Sequence, residues 1–246
     1  MMLVYSGWKS RFVAVAVAVC AISPYVSAET PEEKGLAIAQ EADKRDTGWL
    51  SSKTVLNMVL KNRHGEKSTR ELAIQALEMN EPGLGDRSLT IFSSPKDIDG
   101  TAFLSHTKIT DPDDQWLYLP ALKRVKRISS SNKSGPFMGS EFAFEDLSSQ
   151  EVEKYTYKYL RNEMVNGTEC FVSERYPVYK NSGYTKQIAW VDTAEYRPIK
   201  IEFYDRKKTL LKTLVFSEYR QYKDKFWRAH TMNMVNHQTG KSTELK

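Results

Sequence analysis

The residues able to do chemistry are few and widely spread. His64, His106, His230 and His237 stand far apart, and the chain has no His-Glu-x-x-His, no Gly-x-Ser-x-Gly and no cysteine pair at metal spacing. Asp111, Asp113 and Asp114 could offer carboxylates to calcium, but the other oxygen ligands of an EF-hand loop are missing, so the run reads as a polar turn. Gly240-Lys241-Ser242 ends like a phosphate-binding loop, yet Val235 stands where its first glycine belongs and the surroundings read as a hairpin. Cys170 could be a nucleophile; on a strand it shares a face with Val172 and reads as a small buried hydrophobe. No catalytic residue, metal-ligand set or cofactor is expected, and the protein is read as non-enzymatic.

Chemistry of another kind, the binding of apolar matter, is better represented. Residues 116–120, Trp-Leu-Tyr-Leu-Pro, put apolar groups on both faces of one short strand, and Trp49, Trp190, Trp227 and several methionines add adaptable apolar surface. Residues 129–149 are rich in Ser and Gly yet contain Phe137, Met138, Phe142, Phe144 and Leu147. A solvated linker has no use for such groups, and a loop longer than about 12–15 residues in a compact domain is usually functional, so the stretch reads as a lid or plug over a cavity. Trp116, Tyr118, Phe137, Met138, Phe142 and Phe144 are therefore the candidate ligand-binding set, of cavity and lid, against the competing reading of an ordinary core. Lys123-Arg124-Val125-Lys126-Arg127 would place charge on both faces of a strand. That fits an edge strand guarded by charge, or contact with acidic headgroups or an acidic partner.

The elements that must position these residues are mostly strands. Tyr155, Tyr157 and Tyr159 alternate with Lys154, Thr156 and Lys158, and Ile199, Ile201 and Phe203 alternate with Lys200, Glu202 and Tyr204. That period of two, with one wet face, is antiparallel in character. Turn signals divide the chain into roughly ten strands, Asn166-Gly167 being the strongest hairpin signal because both residues tolerate positive φ. One helix is predicted over 31–45, with Thr30, Pro31 and Glu33 at cap, first-turn and capping-box positions. Its small, Ala-rich stripe suits close packing on a sheet.

The 246 residues carry 36 Lys+Arg against 31 Asp+Glu, a net charge of +5. Lys9 and Arg11, the apolar run from Phe12 to Ile22 and the small-residue site Val26-Ser27-Ala28 have the layout of a cleavable signal peptide, so residues 1–28 are expected to be removed. The mature stretch, 29–246, reads as one domain of net charge +3 with Cys170 as its sole thiol. An exported chain that can form no internal disulfide must be held by its core, which points to a bacterial periplasm and argues against nucleic acid as a partner.

Three segments add a resemblance: residues 95–104 (PKDIDGTAFL), 114–122 (DQWLYLPAL) and 137–147 (FMGSEFAFEDL). Together they resemble the signature segments of the bacterial outer-membrane lipoprotein-sorting protein family, relatives of the LolA carrier, from about Gly35 to the end. The resemblance implies an α+β, mostly antiparallel fold: a curved incomplete β-barrel, or half-barrel, with an N-terminal helix and a lid or plug segment on its concave face. It further implies a monomeric periplasmic carrier of lipid or lipoprotein acyl chains, with transient membrane contact and an inner-membrane transporter of the RND class as possible partners. A regulatory module of the same fold that senses lipid or lipoprotein is the second reading, and a hydrolase the third. Only six residues follow the turn at Thr239-Gly240, where such relatives continue, so the domain is expected to be cut short at its C-terminus, with a strand left partly unpaired.

Overall fold

The computed structural model describes Met1 and residues 28–246; the rest of the leader expected over 1–28 lies outside the described residues. The helix α1 spans Pro31–Asp46. Thirteen strands follow: β1 Ser51–Lys61, β2 Lys67–Leu77, β3 Leu84–Ser94, β4 Ala102–Lys108, β5 Asp114–Leu119, β6 Arg124–Ile128, β7 Tyr155–Val165, β8 Thr168–Pro177, β9 Tyr184–Asp192, β10 Pro198–Asp205, β11 Leu210–Tyr222, β12 Phe226–Asn236 and β13 Ser242–Leu245. They form one antiparallel sheet in the order β6-β5-β4-β3-β2-β1-β13-β12-β11-β10-β9-β8-β7, so β6 and β7 are its edges. The sheet is curved and open, an incomplete half-barrel.

Three more strands form than the turn signals suggested. The reason is visible at two turns: Lys123 (φ 47°) and Tyr196 (φ 57°) take up the left-handed conformation that composition assigns to Gly or Asn. The edge position of β6, by contrast, follows from its sequence, since Arg124 to Arg127 are all exposed and only Ile128 is buried.

The C-terminal strand is paired on both sides. β13 lies in the middle of the sheet, bonded to residues 58–61 of β1 on one side and 232–235 of β12 on the other. Asn57 and Lys246 exchange a further pair of main-chain hydrogen bonds. What is unpaired lies beyond it: residues 51–56 of β1 pair only with β2, and 226–231 of β12 only with β11.

α1 begins at a capping box, in which the Glu33 N–H donates to Thr30 Oγ1 at 3.2 Å and the Thr30 N–H to the Glu33 carboxylate at 2.8 Å. Gly35 lies so close to β7 that a Cβ there would stand 2.8 Å from the Tyr159 nitrogen, and only glycine permits that approach. From β7 the helix crosses to the start of β12, where Asp46 pairs with Arg228 at 2.5 Å.

One face of the sheet holds the main core. Met58, Leu72, Phe92, Phe103, Leu117, Ile201, Phe203, Leu214, Met234 and Leu245 turn inward from nine different strands. The concave face is where residues 129–154 fold back.

Candidate functional site on the concave face

Between β6 and β7 the chain runs across the concave face in short 3₁₀ turns and acts as a plug. Phe137 is 1% and Phe142 3% exposed, both within the main core. The Phe137 ring sits 5.3 Å from Phe103 and 5.8 Å from Phe92, and Phe144 lies 5.5 Å from Phe103. Met138 and Phe144 are half-buried at the margin of this packing.

Polar groups tie the plug to the sheet at several points. Asp146 accepts from Lys212 of β11 at 2.6 Å, from the Tyr184 hydroxyl of β9 at 2.8 Å and from the Ala143 N–H at 2.7 Å. Glu145 accepts from the Gly183 N–H at 2.8 Å and from Ser182 and Tyr179; burial pushes its carboxyl pKa up, and the bonds from Gly183 and Ser182 oppose the rise. On the other flank, Gln115 of β5 donates to the Phe144 carbonyl at 3.1 Å and Lys154 pairs with Asp113 at 2.5 Å, both ends largely buried. Arg70 of β2 donates to the Met138 carbonyl, and burial lowers the pKa of its guanidinium. Buried polar groups satisfied this fully specify one position for the segment.

The plug covers only part of the concave face. Leu56 and Ile74 of β1 and β2, with Phe216 and Met232 of β11 and β12, line the same side and are half-buried, packed like Met138 and Phe144 against the main core. A cleft of about 410 Å³ follows the plug where it meets β9 to β11; Glu141, Phe142, Tyr184, Arg206, Lys207 and Lys212 are among its walls. The concave side therefore presents adaptable apolar groups under a charged rim, an arrangement able to hold a flexible chain with a polar head.

Four of the six candidate residues are brought together here: Phe137, Met138, Phe142 and Phe144. Trp116 and Tyr118 are not. On β5 the buried positions are Gln115 and Leu117, and strand alternation turns Trp116 and Tyr118 to the convex face, where Trp116 meets His106 edge-on at 5.3 Å. Sequence reasoning missed Leu56, Ile74 and Phe216, whose only signal was membership of alternating strands, whereas Met232 is one of the methionines whose adaptable apolar surface the composition already marks.

The remaining reactive side chains are dispersed. His64 is exposed in the β1–β2 hairpin, His230 stacks on Tyr222, and His237 bonds Thr213. Cys170 is fully buried against Val172 and Trp190, and burial pushes its thiol up to about 11, far from a reactive thiolate. Among the described residues no group of three or more His, Cys, Asp or Glu is placed to hold a metal.

A family model, described as that of an uncharacterized protein, matches residues 85–246. No curated protein matches the chain. Among solved structures it is similar to a domain described as outer membrane lipoprotein-sorting from Vibrio parahaemolyticus, with 62% identity, 87% of this chain and 90% of that one covered, and a TM-score of 0.85. It is also similar to a DUF1329 family protein from Desulfovibrio piger (29% identity, 88% and 91% covered, TM-score 0.84). A LolA superfamily protein from Nitrosomonas europaea, at 22% identity with 86% and 90% covered and a TM-score of 0.67, shares the fold. With its curved open sheet, the helix α1 before it and the inward plug, the chain belongs to the outer-membrane lipoprotein-sorting protein family and has the LolA-like fold.

Proposed function

We propose that the protein is a non-enzymatic periplasmic carrier or binding protein for lipids or lipoproteins. It shields acyl chains against its concave face during transport to, or maintenance of, the outer membrane. The observation that carries this reading is the half-buried set Leu56, Ile74, Phe216 and Met232, which with Met138 and Phe144 flanks the main core, apolar surface on the inside of a sheet that does not close. The 62% identical lipoprotein-sorting domain from Vibrio parahaemolyticus supports it. In this reading Met138 and Phe144 touch the ligand, while Phe137 and Phe142 hold the plug on which they sit. Delivery from the periplasm follows from the leader expected over 1–28, and an RND-class transporter is the inner-membrane partner with which cargo would be exchanged.

The test is to purify the protein from its own periplasm, extract it and identify co-purifying molecules by mass spectrometry. Acylated lipids or lipoprotein at near one per protein are expected. Protein that emerges empty, and that also leaves a fluorescent fatty-acid probe unbound, would remove the reading.

A further inference from the structure

The six hairpins at the end of the sheet where β1 finishes form one rim. Four of the five neighbouring pairs touch: a Cβ on Gly240 would stand 3.5 Å from Arg63, Gln238 bonds Asp205, Arg206 bonds the Ser182 carbonyl, and a Cβ on Gly100 would stand 3.8 Å from Pro120. Every one of these hairpins exposes a cation: Arg63, Lys96, Lys123, Lys180, Lys207 and Lys241. Further cations flank several of them, including Arg124, Arg206 and Lys208. The rim's carboxylates are fewer, and two are engaged within it, Glu66 by Asn62 and Asp205 by Gln238 and turn amides. At the opposite end Asp43, Asp46, Glu78, Asp86 and Glu151 gather; burial raises the pKa values of Asp43, Asp46 and Asp86, opposed by Arg228 at Asp46 and by the Met79 N–H at Asp86, and neighbouring carboxylates add to the rise.

Two large apolar side chains project from the basic rim. Leu122 is 68% and Val178 59% exposed, each in a connection that also carries a cation, Lys123 or Lys180. Cations that attract anionic headgroups, with single apolar groups that enter the headgroup boundary, are the pattern of a reversible membrane contact. Cations alone could also hold an acidic peptide, but the exposed Leu122 and Val178 beside them have a place in a headgroup layer and none against an acidic chain.

We propose that this hairpin rim docks on an anionic phospholipid surface, with Leu122 and Val178 entering the headgroup layer. The proposal does not depend on which cargo the concave face takes. Its test is flotation of the purified protein with vesicles of phosphatidylethanolamine and phosphatidylglycerol, against phosphatidylcholine alone. At low salt the protein is expected on the anionic vesicles only. Charge reversal at Lys123, Arg124, Lys207 and Lys208 should reduce the bound fraction by about tenfold or more, as should salt well above physiological strength. Leu122→Asp with Val178→Asp should weaken binding further at intermediate salt, and circular dichroism of these surface variants should remain that of the parent. No flotation at low salt would overturn the proposal. So would soluble polyglutamate binding as tightly as the vesicles with the two apolar variants behaving as wild type, an outcome that assigns the rim to an acidic protein instead.

Discussion

Lys212 and Asp146 form an ion pair at 2.6 Å with both side chains closed to solvent, 4% and 6% exposed, and it joins the middle of the plug to β11. Lys212 also donates to the Glu141 carbonyl at 2.9 Å, so one ammonium holds two points of the segment. Two buried charges cost desolvation whose repayment depends on geometry, and removing one partner leaves the other uncompensated. Lys212→Ala or Asp146→Ala is expected to cost about 3–5 kcal/mol in urea unfolding. Lys212→Met with Asp146→Leu should recover most of that loss; a double variant no better than either single one would mean that the pair's other hydrogen bonds matter more than its charge.

The plug's aromatic residues should divide into two behaviours. Phe142, 3% exposed in the main core, is expected to lose several kcal/mol of stability on Phe142→Asp, because a charge would enter an apolar site. At the half-buried margin, Met138→Asp and Phe144→Asp should weaken a fluorescent fatty-acid probe by about tenfold or more while moving the thermal midpoint much less. If all three variants lower the midpoint alike and folded protein keeps its probe affinity, the plug is structural throughout.

Much of this architecture could be read from local sequence. The alternation of Tyr155, Tyr157 and Tyr159 with polar neighbours, the capping box at Thr30 and Glu33, and Asn166-Gly167 at positive φ each express a rule that operates within a few residues. The plug was legible too, since large aromatics in a Ser/Gly-rich stretch must find shelter. What stayed hidden is non-local. Asp146 meets Lys212 across 66 positions, and β13 inserts between β1 and β12, far from β1 in sequence. No spacing rule couples such residues, and only the closure of the sheet brings them together. Trp116 and Tyr118 show a further limit: apolar groups on both faces of β5 mark both faces as apolar without saying which one is inside.

Asp86 gives the protein a measurable pH dependence. Burial, with Glu151, Glu78 and Asp46 nearby, pushes its carboxyl from 3.8 up to about 6, against the Met79 N–H that favours the charged form. A raised carboxyl pKa means that the folded state binds the proton more tightly than the unfolded chain. The penalty is therefore present in full above pH 6 and is relieved as pH falls from 6 towards 3.8. Because the group is partly exposed, solvent screening reduces its worth to the order of 1 kcal/mol. Asp86→Asn should stabilise the protein by that amount at pH values well above 6, and the gain should vanish near 3.8. A gain of equal size at both extremes would assign it to something other than titration.

The gap beside β13 leads to the last prediction. Beyond the residues that β13 pairs, 51–56 of β1 are bonded on one side only, to β2, and 226–231 of β12 on one side only, to β11. Each carries main-chain N–H and C=O groups on the side that faces the gap, groups that a further strand would pair on both edges at once. Residues appended after Lys246, alternating apolar and polar so that apolar side chains join Thr243 and Leu245 on the concave face, should extend β13 into that space. The expected result is a midpoint raised by about 2–4 °C per kcal/mol gained in a domain of this size, with added protection of the amides of 51–56 and 226–231 from hydrogen exchange. The same extension carrying proline at alternate positions supplies no N–H there and should give neither effect. If both extensions leave the midpoint and the exchange of those amides unchanged, the space between β1 and β12 does not accept a strand, and its edges are satisfied by water alone.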